Sequence, residues 1–185
     1  MSKLTKALTA AAGNAGGDNL YVEDVFSTYL YTGNSSTQTI TNGIDLDGEG
    51  GMLWLKPRNQ TQDHIIFDTV RGVTKSLTTN NTTAEYTATA GNEGLQSFNN
   101  DGFTTKLYQN NTGINNSSCN VASWTFRKAK KFFDVVTYTG NGSSGYRQIS
   151  HNLGSTPAAV IQKNITDVKN WYVYHKDTAQ PSDTD

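Results

Sequence analysis

The sequence predicts an all-β protein, a sandwich or jelly roll, and three observations carry that expectation. Charged residues make up 17% of the 185-residue chain, well below the usual quarter, and Asn, Thr, Ser and Gly fill the space. Aromatic residues make up 10% and sit in alternating runs, unlike the aromatic-poor, highly charged composition of disordered chains. Short runs of Thr, Tyr, Val and Phe alternate with clusters of Asn, Gly, Asp and Ser, which are the residue preferences of strands and turns.

The elements follow in order. Residues 2–12, SKLTKALTAAA, predict a short helix with Leu4, Leu8 and Ala11 on one face at i, i+4 and i+7. Gly13-Asn14 and Gly16-Gly17 end it. A helix of this length is marginal alone in water, so it reads either as a frayed terminus or as a segment that orders on a partner. From Leu20 the pattern becomes β. Residues 26–32 alternate, 34–37 turn, and 38–44 form a second short strand. DLDGEGG (45–51) is a turn, MLWLK (52–56) is the most apolar strand, and Pro57 closes it where no ladder donor is needed. HIIFD (64–68) is the next strand. Residues 73–94 read as an Asn/Thr-rich surface excursion, with short strand candidates at 76–77 and 85–87. Further strands fall at 95–98, 102–107 and 123–127, and 110–120 is a polar loop. MLWLK and SWTFRK are the expected central strands, with Trp54, Trp124 and Trp171 packed in the core.

The chain also repeats itself. FSTYLYTGN (26–34) returns 107 positions later as FDVVTYTGN (133–141). At the same offset Leu46 falls on Leu153 and Lys56 on Lys163. Asp68-Thr69 falls on Asp177-Thr178 at an offset of 109. A period this long exceeds that of solenoid units and indicates two copies of a domain. The expected organisation is an N-terminal segment of helix and Gly-rich linker (1–19), a β-sandwich (20–131), and a partial second β module (132–185) that repeats 26–69. In that module Ala158–Gln162 and Asn170–His175 are the expected strands. The second copy reaches only half way by Asp185, so either the natural chain is longer or something else completes the half-domain.

Few chemical constellations emerge. The net charge of −1 offers nucleic acid or an anionic membrane no field, and no apolar run approaches the roughly 20 residues that span a bilayer. Met1–Gly17 lacks the long apolar stretch of a signal peptide. The single cysteine, Cys119, has no intrachain disulfide partner and reads as a small buried hydrophobe. Asp45, Asp47 and Glu49 alternate around Gly48, a candidate calcium turn; without the closing acidic residue of an EF-hand, a plain polar turn is the simpler reading. Tyr86, Tyr108 and Tyr146 lie in polar stretches, where exposed rings could stack on carbohydrate. His64, His151 and His175 are the only histidines. Asp63 adjoins His64 on one strand, which sends the two side chains to opposite faces. No zinc spacing, phosphate loop or serine elbow is present. The N-x-S/T triplets at Asn34, Asn59, Asn80, Asn115 and Asn164 arise by chance in such a composition. Lys128, Lys130 and Lys131 read as a solvated junction. No cofactor and no catalytic residue is expected.

Taken together, GGMLWLKPRN, HIIFDTVRG, LQSFNNDGFT and SWTFRKAKKFFDVVTYTGNG, followed by ISHNLGSTPAAVIQKN and NWYVYH, resemble a family of virion structural proteins from marine tailed phages, cyanophages among them. The resemblance covers residues 26–178. It implies a concanavalin-A-like sandwich followed by YTGNG–HNLG modules, in a tail fibre or similar appendage. The expected role is therefore non-enzymatic, the N-terminal part of a phage tail fibre located in the virion. Leu4, Leu8 and Ala11 would dock on a tail protein such as an adaptor or nozzle. A homotrimer is the expected assembly, with host glycan engaged, if at all, through more distal parts. A lectin-like adhesin and a capsid decoration protein are the alternatives.

Overall fold

The computed structural model describes residues 20–88, 94–106 and 113–178; the helix expected at 2–12 lies outside them. The chain enters through one helical turn, α1 (Val22–Val25), where the sequence suggested β structure from Leu20. Val25 is buried and anchors this turn. β1 (Phe26–Thr32), β2 (Gln38–Thr41), β3 (Gly51–Pro57) and β4 (Ile65–Asp68) follow. β5 (Lys75–Thr78), β6 (Tyr86–Thr87), β7 (Leu95–Asn99), β8 (Gly102–Thr105) and β9 (Asn120–Arg127) complete the first module.

Two antiparallel sheets face one another, one in the order β1-β9-β3-β4-β5-β6 and the other β2-β8-β7. Strand alternation decides what lies between them. Along β3, Gly51, Leu53, Leu55 and Pro57 are buried while Met52, Trp54 and Lys56 are half-buried, the period of two that a one-sided sheet imposes. Leu53 pairs with Phe67 on β4, and Leu55 with Ile65. These side chains meet Ile40, Leu95 and Phe103 from the smaller sheet, together with Tyr31, Ile114, Cys119 and Val121. Tyr31 approaches Phe103 edge-on at 6.1 Å. The expected all-β sandwich is thus the observed architecture.

Three expectations change. Trp54 and Trp124 are not core residues. The alternation that buries Leu53 and Ser123 puts both indoles on the outer face of the large sheet, where they meet at 5.9 Å. The 73–94 excursion is not surface loop alone: its strand candidates at 76–77 and 85–87 are β5 and β6, and β5 is a strand of the large sheet with Ser76 and Leu77 buried. The polar loop at 110–120 sends Ile114, Asn115 and Cys119 fully inward.

Among the described residues the second module forms one hairpin, β10 (Ala159–Lys163) and β11 (Trp171–His175). Its pairing begins Ala159↔His175 and runs through Val160↔Tyr174 to Gln162↔Tyr172. Subtracting the 107-residue repeat turns these into Met52↔Asp68, Leu53↔Phe67 and Leu55↔Ile65, the register of β3 on β4. The repeat is therefore structural across this hairpin, and its register matches Asp68 to His175 rather than to Asp177, as the 109-residue offset had suggested.

Candidate interaction surface

The YTGN motif acts through its contacts in the first copy. Tyr31 drives its ring into the core and donates its hydroxyl to Ile114 O at 2.7 Å. Burial, then the neighbouring Cys119, push its phenol well above the ordinary range, so it stays neutral. Thr32 Oγ1 donates to Asn120 Oδ1 at 3.1 Å. Gly33 lies so close to the 115–116 backbone that a Cβ would sit 2.3 Å from Asn116 O, and its N–H donates to Cys119 O at 2.8 Å. Asn34 N–H donates to Asn115 Oδ1 at 3.2 Å, while Asn115 Nδ2 donates to Ser36 O. The motif is a clasp. It closes the start of the fold onto residues 113–120, and β9 then runs between β1 and β3.

In the second copy the clasp stands open. Asn141 Oδ1 still accepts the Ser143 N–H at 3.2 Å, as Asn34 does from Ser36. Tyr138, however, is 46% exposed where Tyr31 is 7%, and a Cβ on Gly140 would meet nothing within 4 Å. Val160 is 45% exposed where Leu53 is wholly buried, and Tyr174 is 44% exposed where Phe67 is wholly buried. Ile161, Tyr172 and Val173 are more exposed still. Residues 133–139, the counterpart of β1, form no strand. The reason lies in the sheet order: β1 bonds only to β9, and among the described residues the second copy has no strand in that position. β3 and β4 bond to each other, so their counterparts can pair without a third strand. The hairpin therefore carries exposed apolar side chains on both of its faces, Val160 with Tyr174 on one and Ile161 with Val173 on the other.

The hairpin is held to the sandwich at its turn end. Trp171 Nε1–H is shared between Thr78 O at 3.2 Å and Asn81 O at 3.1 Å. Glu85 N donates to Ile165 O at 2.9 Å, and Lys169 N to Thr82 O at 3.1 Å. Trp171 is thus a joint between modules rather than a core residue. Glu85 belongs to a buried ionic network: Arg71 Nε meets Asp68 Oδ2 at 2.6 Å, Arg71 Nη1 meets Glu85 Oε2 at 3.2 Å, and Lys75 Nζ meets Glu85 Oε1 at 2.8 Å. A second joint centres on Asp134, whose carboxylate is buried and takes Lys128 Nζ at 3.0 Å. It also accepts Val135 N at 2.9 Å and Asn152 N at 2.7 Å. Burial pushes this carboxyl up, but the Asn152 amide, Lys128 and the Val135 amide outweigh it and hold it below its ordinary value. Lys128 is thus engaged in the junction, and Lys131 N donates to Leu153 O at 2.8 Å. Phe132 and Phe133 continue an aromatic stripe across the outer face, Phe133 packing at 5.4 Å on Phe126, which also meets Phe26 at 4.9 Å.

The other candidates stay dispersed. Leu4, Leu8, Ala11 and Tyr108 lie outside the described residues. Tyr86 is on edge strand β6 and Tyr146 in an irregular stretch of the second module; both are exposed, but on different modules. The Asp45–Glu49 turn closes on itself: Asp45 Oδ1 accepts Gly48 N at 2.7 Å, and Glu49 points to Arg127 at 3.8 Å. No group of three His, Cys, Asp or Glu among the described residues could hold a metal ion. Ile44, just before that turn, and Leu46, within it, are core residues, so the turn serves packing. Asp63 bonds Asn80 Nδ2 at 2.7 Å, while His64 packs against Trp54 at 6.1 Å. His175 Nδ1 accepts the Asp177 N–H at 3.2 Å. Cys119 is buried as expected, and burial pushes its thiol up. A shallow depression at Arg58–Gln62 is lined by that polar loop alone. The residues missed by sequence reasoning are Asp134, Trp171 and Asn115. The repeat signalled Asp134, because it stands where the first copy has Ser27.

Among the described residues, no helix is long and apolar enough to cross a membrane. No curated protein and no solved structure matches the chain. A family profile does, over residues 22–184, running from α1 across both joints into the second module. The chain belongs to that family, DUF7483, a domain of unknown function.

Proposed function

We propose that the protein is a non-enzymatic structural component of a phage virion, the proximal part of a tail fibre or related appendage. The observation that carries this reading is the repeated hairpin. A second copy of the β3–β4 unit, in the same register, is joined to the sandwich by two polar joints. An appendage is built by adding modules in this way, and the repeat supports that role together with the resemblance to marine phage virion proteins. In this reading Leu4, Leu8 and Ala11 seat on a tail protein, three copies associate side by side, and any host glycan is met further out.

Electron microscopy of the virion, with the protein located by a label, tests the reading. Density at the tail in threefold groups is the expected result. Density spread over the capsid lattice would overturn it in favour of a decoration protein. Glycan-array binding by the isolated protein would favour the lectin-like adhesin.

A further inference from the structure

We propose that Asn141–Gly142, at the end of the second YTGN motif, is a self-modification site: the asparagine side chain cyclises onto the next backbone nitrogen, loses ammonia and opens to aspartate or isoaspartate. Asn-Gly occurs twice in the chain, at 42–43 and 141–142, and the structure separates the two.

Glycine after asparagine favours this chemistry because no side chain hinders the attack and the backbone turns freely. The Gly142 nitrogen gives its proton to hydroxide and attacks Asn141 Cγ. The Cγ–Nδ2 bond breaks, and Nδ2 leaves as ammonia. Water then opens the five-membered imide at either carbonyl. At Asn42 the fold opposes both ends of the reaction. Its Nδ2 donates to Thr125 Oγ1 at 2.8 Å, and its Oδ1 accepts Ile44 N at 3.2 Å. The N–H groups of Asn42 and Gly43 both donate to Asp101 O at 2.9 Å. The attacking nitrogen and the leaving group are thus both held. Asn141 and Gly142 are exposed instead, and a Cβ on Gly142 would meet nothing within 4 Å. Among the described residues, no hydrogen bond engages the Gly142 N–H or Asn141 Nδ2. The Ser143 N–H assists: it donates to Asn141 Oδ1 at 3.2 Å and stabilises the negative charge that this oxygen gains during attack. The first copy has Ser35 at the position of Gly142, with its N–H on Asn115 O at 2.8 Å. The product carries one more negative charge and, as isoaspartate, one more methylene in the backbone, between residues 133–139 and β10.

The test is incubation of the full chain at mildly alkaline pH, folded and in urea, followed by peptide mapping with mass spectrometry. An isoaspartate methyltransferase reads the isomer. In the folded chain Asn141 is expected to convert about tenfold or more faster than Asn42, because Asn42 reacts only from an opened state. In urea the two are expected to convert at similar rates. Gly142→Ser, which restores the residue of the first copy, is expected to slow conversion at 141 and leave that at 42 unchanged. Serine fits there because Ser35 holds the same left-handed backbone, φ 56 against φ 70 at Gly142. An Asn141 that stays intact in the folded chain while the urea-unfolded chain converts would overturn the proposal. So would equal rates at the two sites in the folded chain, or a Gly142→Ser variant that converts as fast as the wild type.

Discussion

At the scale of single residues, the two glycines of the repeated motif make the clearest contrast. Gly33→Ala would force a methyl to 2.3 Å from Asn116 O, and backbone cannot yield as a side-chain end can. The expected cost is about 1–3 kcal/mol, the range for overpacking. Gly140→Ala meets open space and is expected within about 0.5 kcal/mol of wild type. Urea denaturation of the two variants checks both. His64 supplies a pH test. Burial first, then Lys56, lower its pKa, with Asp63 opposing. A histidine depressed in the folded state binds fewer protons than in the unfolded chain. It therefore contributes stability that is present above its unfolded pKa, about 6.5, and is lost as pH falls through the folded value. His64→Gln is expected to flatten the stability curve in that window; an unchanged curve would show that the imidazole is not the titrating group.

At the scale of elements, the same hairpin occurs once closed and once open, so equivalent truncations should differ. Leu53→Ala removes a fully buried side chain between two sheets and is expected to cost about 2–5 kcal/mol. Val160→Ala at the equivalent place is expected to cost under about 1 kcal/mol, because its side chain is half in water already. Equal losses would mean that β10 is covered. A two-stranded hairpin is marginal by itself, so β10 and β11 depend on the joints. Trp171→Ala is expected to speed amide exchange along β11 and leave β3 protected. Arg71→Met would strand Asp68 and Glu85 beside an apolar chain. Breaking a buried network on one side costs about 3–5 kcal/mol, which a denaturant midpoint would show.

At the scale of the whole molecule, the relation of the modules depends on Asp134. Its carboxyl is held below the ordinary range, so its contribution is complete above its unfolded pKa, near 3.9, and is lost as pH falls through the folded value. Acid below about pH 3.9 is therefore expected to loosen the junction. Exchange of the Asn152 and Val135 amides against pH measures this. Asp134→Asn should show the loosened state at neutral pH, with β3 and β9 unaffected.

The sequence by itself determined the β class, the strand positions at 26–32, 52–56 and 64–68, the burial of Cys119 and the existence of a second copy. Each rests on local alternation, on turn chemistry or on identity at a fixed spacing, which the chain carries without reference to its neighbours. Only the tertiary structure decided which face of a strand is inside. Trp54 looks more core-like than Leu53, yet the smaller sheet lies on the other side of β3. Only the structure showed that β5 belongs to the large sheet and that Asn115 is a buried clasp, because a polar residue is stabilised there by partners some eighty positions away. It also decided the fate of the repeat. The same motif closes at Gly33 and stays open at Gly140, because a strand's order depends on what pairs with it, and β9 lies between β1 and β3 of the first copy alone.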